Sequence, residues 1–254
     1  MLSKRLAGTA AICLLLAAGA TACGDDKTSA TKLDTAKLSA EEIQKKAKDA
    51  LAGAGSVKVV GEIAGADADG KKVTLDLVLD TQGHCKGNIA MPGMGKFEVL
   101  GDGKQVYLKP DAEFLSNVAG GGEDGAKAAE LFKGRYISGV QDDPEMKDFT
   151  TLCNLKDLSK SFTEDNDASN ITKGSAGTVN GVKTFSVKSK ESDGGETVLH
   201  VATEGTPYPV RIEKTGKEGG RMDFSEIDKA VTVQAPPADQ VIDYSKFKSE
   251  ATTA

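Results

Sequence analysis

Cysteine and histidine have the widest chemical repertoire in this sequence, since they can be acylated, oxidised in pairs, act in nucleophilic catalysis or bind a metal ion. The 254-residue chain has four cysteines and two histidines. They are Cys13, Cys23, His84, Cys85, Cys153 and His200. A structural zinc site needs about four ligands close together, and only His84 lies beside a cysteine. We therefore expect no metal centre, and we interpret both histidines as exposed or hydrogen-bonded structural residues.

Cys23 directly follows a segment with the composition of a secretory signal peptide. Two basic residues precede an apolar run at residues 6–18, and small residues lie at 20–22, where cleavage is expected. The apolar run is shorter than the about 20 residues that span a bilayer. Residues 20–23 resemble a bacterial lipobox, although Ala20 occupies the position where Leu is most common. The resemblance implies cleavage after residue 22 and a diacylglycerol on the Cys23 thiol; the alternative is an ordinary signal peptide cleaved near a cysteine.

The lipobox resemblance implies a protein anchored by lipid on the extracytoplasmic face of the cell membrane. Two acyl chains make such an anchor stable, whereas one chain binds only marginally. Small polar residues without periodicity follow, so we predict a lipidated flexible tether at 23–38 and a single domain at 39–250. Without residues 1–22, the chain keeps 30 basic and 38 acidic residues, a net charge of −8, which argues against nucleic acid as a partner.

Cys85 and Cys153 are the two cysteines that remain in the predicted domain. An even pair in an oxidising compartment favours a disulfide, and two free buried thiols are the alternative. Closing a loop of this length stabilises the fold by about 4 kcal/mol in the chain-entropy model. The disulfide would also exclude a Cys85–His84 nucleophile, and we find no catalytic motif or cofactor-binding motif elsewhere. We therefore expect a protein that is not an enzyme and has no cofactor.

Two groups of alternating segments, separated by helical ones, predict the fold class. Ser39 and Glu42 have the spacing of a capping box, which predicts a helix that ends near Gly53. The predicted strands are 57–63, 73–80, 87–91, 96–100, 105–109, 174–179, 182–189, 196–203, 209–215 and 221–225, with 241–247 closing the domain. Short helices are predicted at 112–118 and 125–132 on either side of a glycine-rich loop. The pattern indicates an α+β domain with a large antiparallel sheet and helices on one face.

An apolar stripe at residues 145–162 predicts the longest helix of the middle region. Cys153 would lie on that stripe. The disulfide would then staple this helix to the strand end that carries Cys85.

The order of these segments resembles the mycobacterial lipid-transporting lipoproteins of the LppX and LprG kind. The resemblance is carried by residues 57–59, the hairpin at 101–107, residues 207–212 and the ending Met222-Asp223-Phe224-Ser225 with residues 231–238. The Cys85/Cys153 pair and the glycine-rich middle loop depart from the mycobacterial pattern. The family's fold is like that of the carrier LolA, a large curved antiparallel sheet, or incomplete β-barrel, wrapped around helices.

The resemblance implies a hydrophobic cavity between sheet and helices that holds a lipid or other apolar ligand for transport across the cell envelope, with an envelope transporter as a candidate partner. The residues that would line it are Leu75, Leu77, Leu79, Ile89, Val99, Val106, Leu108, Phe149, Leu152, Leu158 and Phe162. From the residues alone, two readings stay open. These side chains either line a cavity or fill a dry core, and in the second case the protein would be a protein-binding or sensing module.

Overall fold

Twelve strands form one sheet in the structure, a computed structural model. It describes residues 32–64, 71–142, 153–163, 169–191, 194–216, 219–244 and 246, with all their side chains except those of 142, 161–163 and 169. The strands are β1 (Ser56–Ala64), β2 (Lys72–Asp80), β3 (His84–Met91), β4 (Gly95–Asp102), β5 (Val106–Pro110), β6 (Tyr136–Ser138), β7 (Ser169–Val179), β8 (Val182–Lys190), β9 (Glu196–Ala202), β10 (Pro209–Lys214), β11 (Gly220–Ser225) and β12 (Val241–Asp243). Their order is β12-β6-β5-β4-β3-β2-β1-β11-β10-β9-β8-β7, so the sheet is open, with β12 and β7 at its edges.

The pairings of this sheet are antiparallel except that β12 runs parallel to β6. The predicted α+β class with a large, mostly antiparallel sheet is therefore confirmed. Strand β6 and its parallel pairing with β12 were not predicted, because each has only three residues and the partners lie far apart in the chain. The hairpin predicted at Asn180-Gly181 joins β7 to β8, and both residues have positive φ angles (48° and 82°), as a tight hairpin turn requires.

Four α-helices accompany the sheet in the described ranges: α1 (Ala40–Ala52), α2 (Ala112–Val118), α3 (Gly122–Phe132) and α4 (Leu155–Thr163). The capping box predicted for α1 is confirmed. Glu42 N–H donates to Ser39 Oγ at 3.2 Å, and Ser39 N–H donates to the Glu42 carboxylate at 2.7 Å. Helix α2 has the predicted bounds, whereas α3 begins three residues earlier than predicted.

Helix α4 corrects the prediction of one continuous helix over 145–162. Cys153 lies in a turn before the helix, and Asn154 is its N-cap. The Asn154 side chain accepts from Lys156 N–H at 3.0 Å, and its carbonyl accepts from Leu158 N–H at 2.9 Å. An asparagine that satisfies first-turn donors in this way begins a helix rather than continuing one. The predicted residues 145–152 lie outside the described residues.

The start of the domain also differs from the prediction. Residues 32–38 were assigned to a flexible tether, but Leu33 is buried, and its N–H donates to the Thr203 carbonyl at 2.9 Å. Lys32 forms an antiparallel bridge with Glu204, and Lys173 donates to the Thr35 carbonyl at 2.9 Å. The apolar side chain of Leu33 gains burial against α1, β8 and β9 that a free tether would not give. The ordered chain therefore begins at or before residue 32.

The two faces of the sheet differ in composition, as the alternation predicted. We define the inner face as the one that carries Val59, Leu77 and Val99, and the outer face as the one that carries Lys58, Asp76 and Glu98. The inner side chains are buried and the outer ones are not. Two buried clusters lie on the inner side: one joins β1–β6 and β11 to α2, α3 and α4, and the other packs α1 on β8 and β9.

Candidate functional site

Strand register arranges the inner face of β1–β4 into four rows that cross the sheet. The row nearest the β1–β2 connection holds Ile63 and Val73, with Met91 of β3 beside Val73 one step beyond the paired stretch. The following rows, in order, contain Gly61, Leu75, Ile89 and Phe97; Val59, Leu77, Gly87 and Val99; and Val57, Leu79, Cys85 and Gly101. Strand β11 extends the second row with Met222 and the third with Phe224.

The exposed fraction of the inner-face side chains falls from the first row to the last. Ile63 in the first row is 41% exposed, and its neighbours Val73 and Met91 are partly buried. Leu75 in the second row is 8% exposed, and Leu79 in the last row has no exposed surface. We name the first row the open end and the last row the stapled end. The inner face is thus an apolar surface that is closed at one end and reaches solvent at the other.

The stapled end is held by the predicted disulfide between Cys85 and Cys153, whose Cα atoms are 5.2 Å apart. The bond joins strand β3 to the turn before α4, rather than to a helical stripe. Gly101 makes room for it, because an added Cβ there would lie 2.7 Å from the Gly83 carbonyl oxygen and 3.2 Å from Cys85 Sγ. The bond closes the stapled end against the sheet.

Aspartate side chains accept hydrogen bonds from backbone N–H groups in the turns at the stapled end. Asp80 accepts from the N–H groups of Gln82 and His84, and its second oxygen lies 2.8 Å from His84 Nδ1. His84, which stands next to a cysteine in the sequence, is thus a structural partner of a turn, and the Sγ of Cys85 is bonded. In the part of the chain that the structure describes, no three His, Cys, Asp or Glu residues come together as a metal site would require.

Helices supply the wall opposite the sheet rows. Phe114 and Leu115 of α2, Phe132 of α3 and Leu155 of α4 are buried in the same cluster as the rows. The rings of Phe97 and Phe114 meet edge to face, with centroids 5.4 Å apart. This wall covers the β3–β4 side, where the amide group of Asn117 on α2 donates to two carbonyls of the β3–β4 turn. Among the described residues, the solvent-exposed part of the inner face lies on β1 and β2, at Ile63 and Val73.

The structure brings most of the predicted lining residues together. Six are buried in this cluster, namely Leu75, Leu77, Leu79, Ile89, Val99 and Leu108. Val106 and Leu158 are partly buried and pack against it. Phe149 and Leu152 lie outside the described residues, as does the side chain of Phe162. Their role as the wall of a ligand site remains a prediction.

Other large side chains of this surface were missed from the sequence. They are Phe97, Phe114, Phe132, Met222 and Phe224. Alternation already placed Phe97 on the same face as Val99, and Met222 on the same face as Phe224. The pairing of β1 with β11, which sets Phe224 opposite Val59, joins residues too distant in sequence for any local pattern to predict.

The outer face carries a second hollow, of about 630 Å³, over β11, β1, β2 and β3. Its walls include Glu62, Asp76, Lys96, Arg221 and Asp223, so both charge signs are present. The hollow is open to solvent and bordered by charged side chains, unlike the apolar cavity expected on the inner face.

The carboxylate of Asp223 on this outer face accepts hydrogen bonds from several side chains. Arg211 Nε donates to it at 2.6 Å, and Arg221 Nε donates to it at 2.9 Å. Burial by itself would raise the pKa of Asp223, but the hydrogen bonds from Arg211, Arg221 and Asn180 outweigh it and lower the pKa. These charges satisfy one another within the protein.

Comparisons with known proteins bear on the fold. No family model matches the sequence, and no curated protein is similar to it. The structure is similar to crystal structures of LprF from Mycobacterium bovis (17% identity, TM-score 0.54, covering 78% of this chain and 97% of LprF) and of the Mycobacterium tuberculosis lipoprotein LppX (15% identity, TM-score 0.47, covering 76% of this chain and 96% of LppX). The resemblance that the sequence predicted is confirmed at the level of the fold.

Proposed function

We propose that this chain is a lipoprotein, anchored through Cys23 on the extracytoplasmic face of the cell membrane, that binds a lipid or another apolar molecule on its inner face and carries it across the cell envelope. One observation carries the proposal: the apolar inner face remains open to solvent at Ile63 while its stapled end is sealed. A surface that served only as a core would have little reason to leave a branched aliphatic side chain of this face 41% exposed.

The mechanism is an exchange of apolar environments. An acyl chain that leaves a bilayer for an apolar protein surface stays out of water, so the net change in hydrophobic free energy is small. The protein then needs no energy source of its own to hold the ligand, and no catalytic group takes part. Access at the open end, past Ile63 and Val73, would let the chain slide in along the rows of β1–β4.

The disulfide supports the proposed extracytoplasmic location. Structural disulfides persist outside the cytoplasm, where thiols are not kept reduced. In the described ranges, no helix is both long and apolar enough to cross a bilayer. Attachment would then rest on the acylated Cys23, and the chain from residue 24 to residue 31 would link it to the ordered domain.

The test is native mass spectrometry of the mature protein, purified from its host without detergent and then extracted with solvent. We expect a reproducible lipid adduct. Ile63→Asp should reduce the adduct and slow the uptake of a fluorescent fatty acid, because a carboxylate at the open end opposes passage of an apolar chain. Val182→Asp is the matched control, because Val182 is equally exposed, at 41%, and lies on β8, four strands away from β1. Equal effects of the two substitutions, or a clean mass without uptake, would contradict the proposal.

The exposed apolar side chains favour a second candidate, a protein-binding or sensing module. Those of the described residues are Val60, Ile63, Met94, Val118, Leu131 and Val182. If the inner rows form a filled core, Ile63 and Met94 would be contact points for a partner protein. A clean mass together with crosslinking of Ile63 to a protein in intact cells would favour this second function.

A further inference from the structure

A shallow depression of about 370 Å³ lies where the ordered chain begins. It is lined by Lys32, Leu33, Asp34, Lys37, Leu38, Lys46, Gly205 and Pro207. The lining thus combines three lysines and one carboxylate with two leucines and a proline. From this depression, we propose that residues 32–46 dock the domain on the anionic surface of the bilayer to which Cys23 is anchored.

The charge of this patch is opposite to that of the protein as a whole. Among the lining residues, three lysines face one carboxylate, whereas the chain beyond residue 22 has a net charge of −8. The side chain of Lys37 is 86% exposed, and it pairs with Asp34 at 3.2 Å. Lys32 and Lys46 are exposed as well. An acidic protein that approaches an anionic bilayer is repelled unless it presents such a patch.

Neighbouring charges reduce the positive excess of the patch without reversing it, since residues 32–46 hold four lysines against the carboxylates of Asp34, Glu41 and Glu42. Glu204, which bridges to Lys32 through the backbone, has its carboxylate 2.8 Å from the ammonium group of Lys183. Lys173 adds another ammonium group beside the patch, where it donates to the carbonyls of Thr35 and Ala36. The surroundings therefore keep the excess of positive charge.

The position of the patch along the chain is the second argument, and it rests on the proposed anchor. Eight residues separate Cys23 from Lys32. A fully extended chain of that length reaches about 30 Å, and a flexible one averages about 17 Å. The patch lies at the first described residues after the anchor, so the short linker keeps it within reach of the bilayer.

The composition of the patch suits a bilayer surface. Its lysines can reach the phosphates while the side chains of Leu38 and Pro207 face the headgroup region. Each lysine near an anionic surface strengthens binding about fivefold, and ionic screening weakens that effect over roughly 8 Å at physiological salt. Docking therefore depends on both lipid charge and salt.

The experiment uses the acylated mature protein, reconstituted in phosphatidylcholine vesicles with or without phosphatidylglycerol. A water-soluble acetylating reagent labels the lysines, and mass spectrometry gives the rate at each. We expect labelling of Lys32, Lys37 and Lys46 to be about fivefold slower on the anionic vesicles, with the difference removed by high salt. Exposed lysines elsewhere, Lys104, Lys127 and Lys133, serve as internal controls and should be labelled equally on both.

Equal rates on both kinds of vesicle at the three patch lysines would overturn the docking proposal, as would an equal slowing at the control lysines. Failure of the anchor would be seen separately, as mature protein that does not float with vesicles. The same labelling, with protein added from solution to the anionic vesicles, then decides the docking. Failure of lipid carriage would show only in the mass of the protein and would leave the labelling pattern unchanged.

Discussion

The stapled end and the open end of the inner face are built from the same strands and similar side chains, yet they differ in what holds them. At the stapled end, Leu79 and Cys85 have no exposed surface, and a disulfide and aspartate-closed turns fix the strands. At the open end, Ile63 is 41% exposed. One end is organised for stability and the other leaves apolar surface in reach of solvent.

This difference teaches how one sheet can combine a firmly held end with an accessible apolar end. Binding sites are drawn from the less stable parts of a fold, since a ligand must be able to displace what covers them. Closing the far end by a covalent bond supplies the stability that an exposed apolar row does not. The predictions below test whether the two ends differ as strongly in energy as they do in exposure.

The largest effect is expected from loss of the disulfide. Replacing both Cys85 and Cys153 with serine should lower the free energy of unfolding by about 4 kcal/mol, because the bond closes a loop with a sequence separation of 68 residues. Urea unfolding of the variant and the wild type measures the difference. The same loss should follow reduction of the wild type, and an unchanged midpoint would mean that the stapled end is held by packing alone.

The next largest effect is expected from large-to-small substitutions, whose cost in stability should differ between the rows. Leu77→Ala should cost about 3 kcal/mol, because the side chain is only 1% exposed and leaves a cavity in the third row. Val73→Ala at the open end should cost about 1 kcal/mol or less, because water already reaches the site. Chemical denaturation compares the pair. Similar costs at the two positions would show that the open end is as tightly packed as the rest.

The smallest effect concerns pH at the stapled end. Burial would raise the pKa of Asp102, but hydrogen bonds from the Gln105 and Lys104 N–H groups and the Tyr107 hydroxyl outweigh it and lower the pKa. A lowered pKa means that the ionised carboxylate stabilises the fold above the unfolded pKa of about 3.9 and that this stability is lost as the pH falls through the folded pKa.

Asp102→Asn should therefore lower stability by about 1 kcal/mol at pH near 7 and have a smaller effect in acid. Urea unfolding at neutral and acidic pH gives both values. Asp239→Asn, at an exposed position just before β12, is the control. If the loss of unfolding free energy is the same at both pH values, the charge of the carboxylate is not its cause.

Local features of the fold could be read from the sequence. The capping box of Ser39 and Glu42, the hairpin at Asn180-Gly181 and the alternation of Leu75, Leu77 and Leu79 each depend on residues a few positions apart. Side chains at such distances interact whatever the rest of the chain does. The sequence alone therefore predicted the helices around the glycine-rich loop and the ten strands, and it favoured the pairing of the two domain cysteines that the structure then showed.

Tertiary structure decided the rest. It placed Cys153 outside the helix, because Asn154 caps α4 there, and it attached Leu33 to the domain through Thr203, 170 positions along the chain. It also set Phe224 opposite Val59 and left Ile63 exposed on the same strand face as the buried Val59. Contacts between distant residues depend on how whole strands pair, and a one-residue shift in that pairing would turn every side chain to the other face. For this reason the candidate site, unlike its strands, could be seen only in the folded chain.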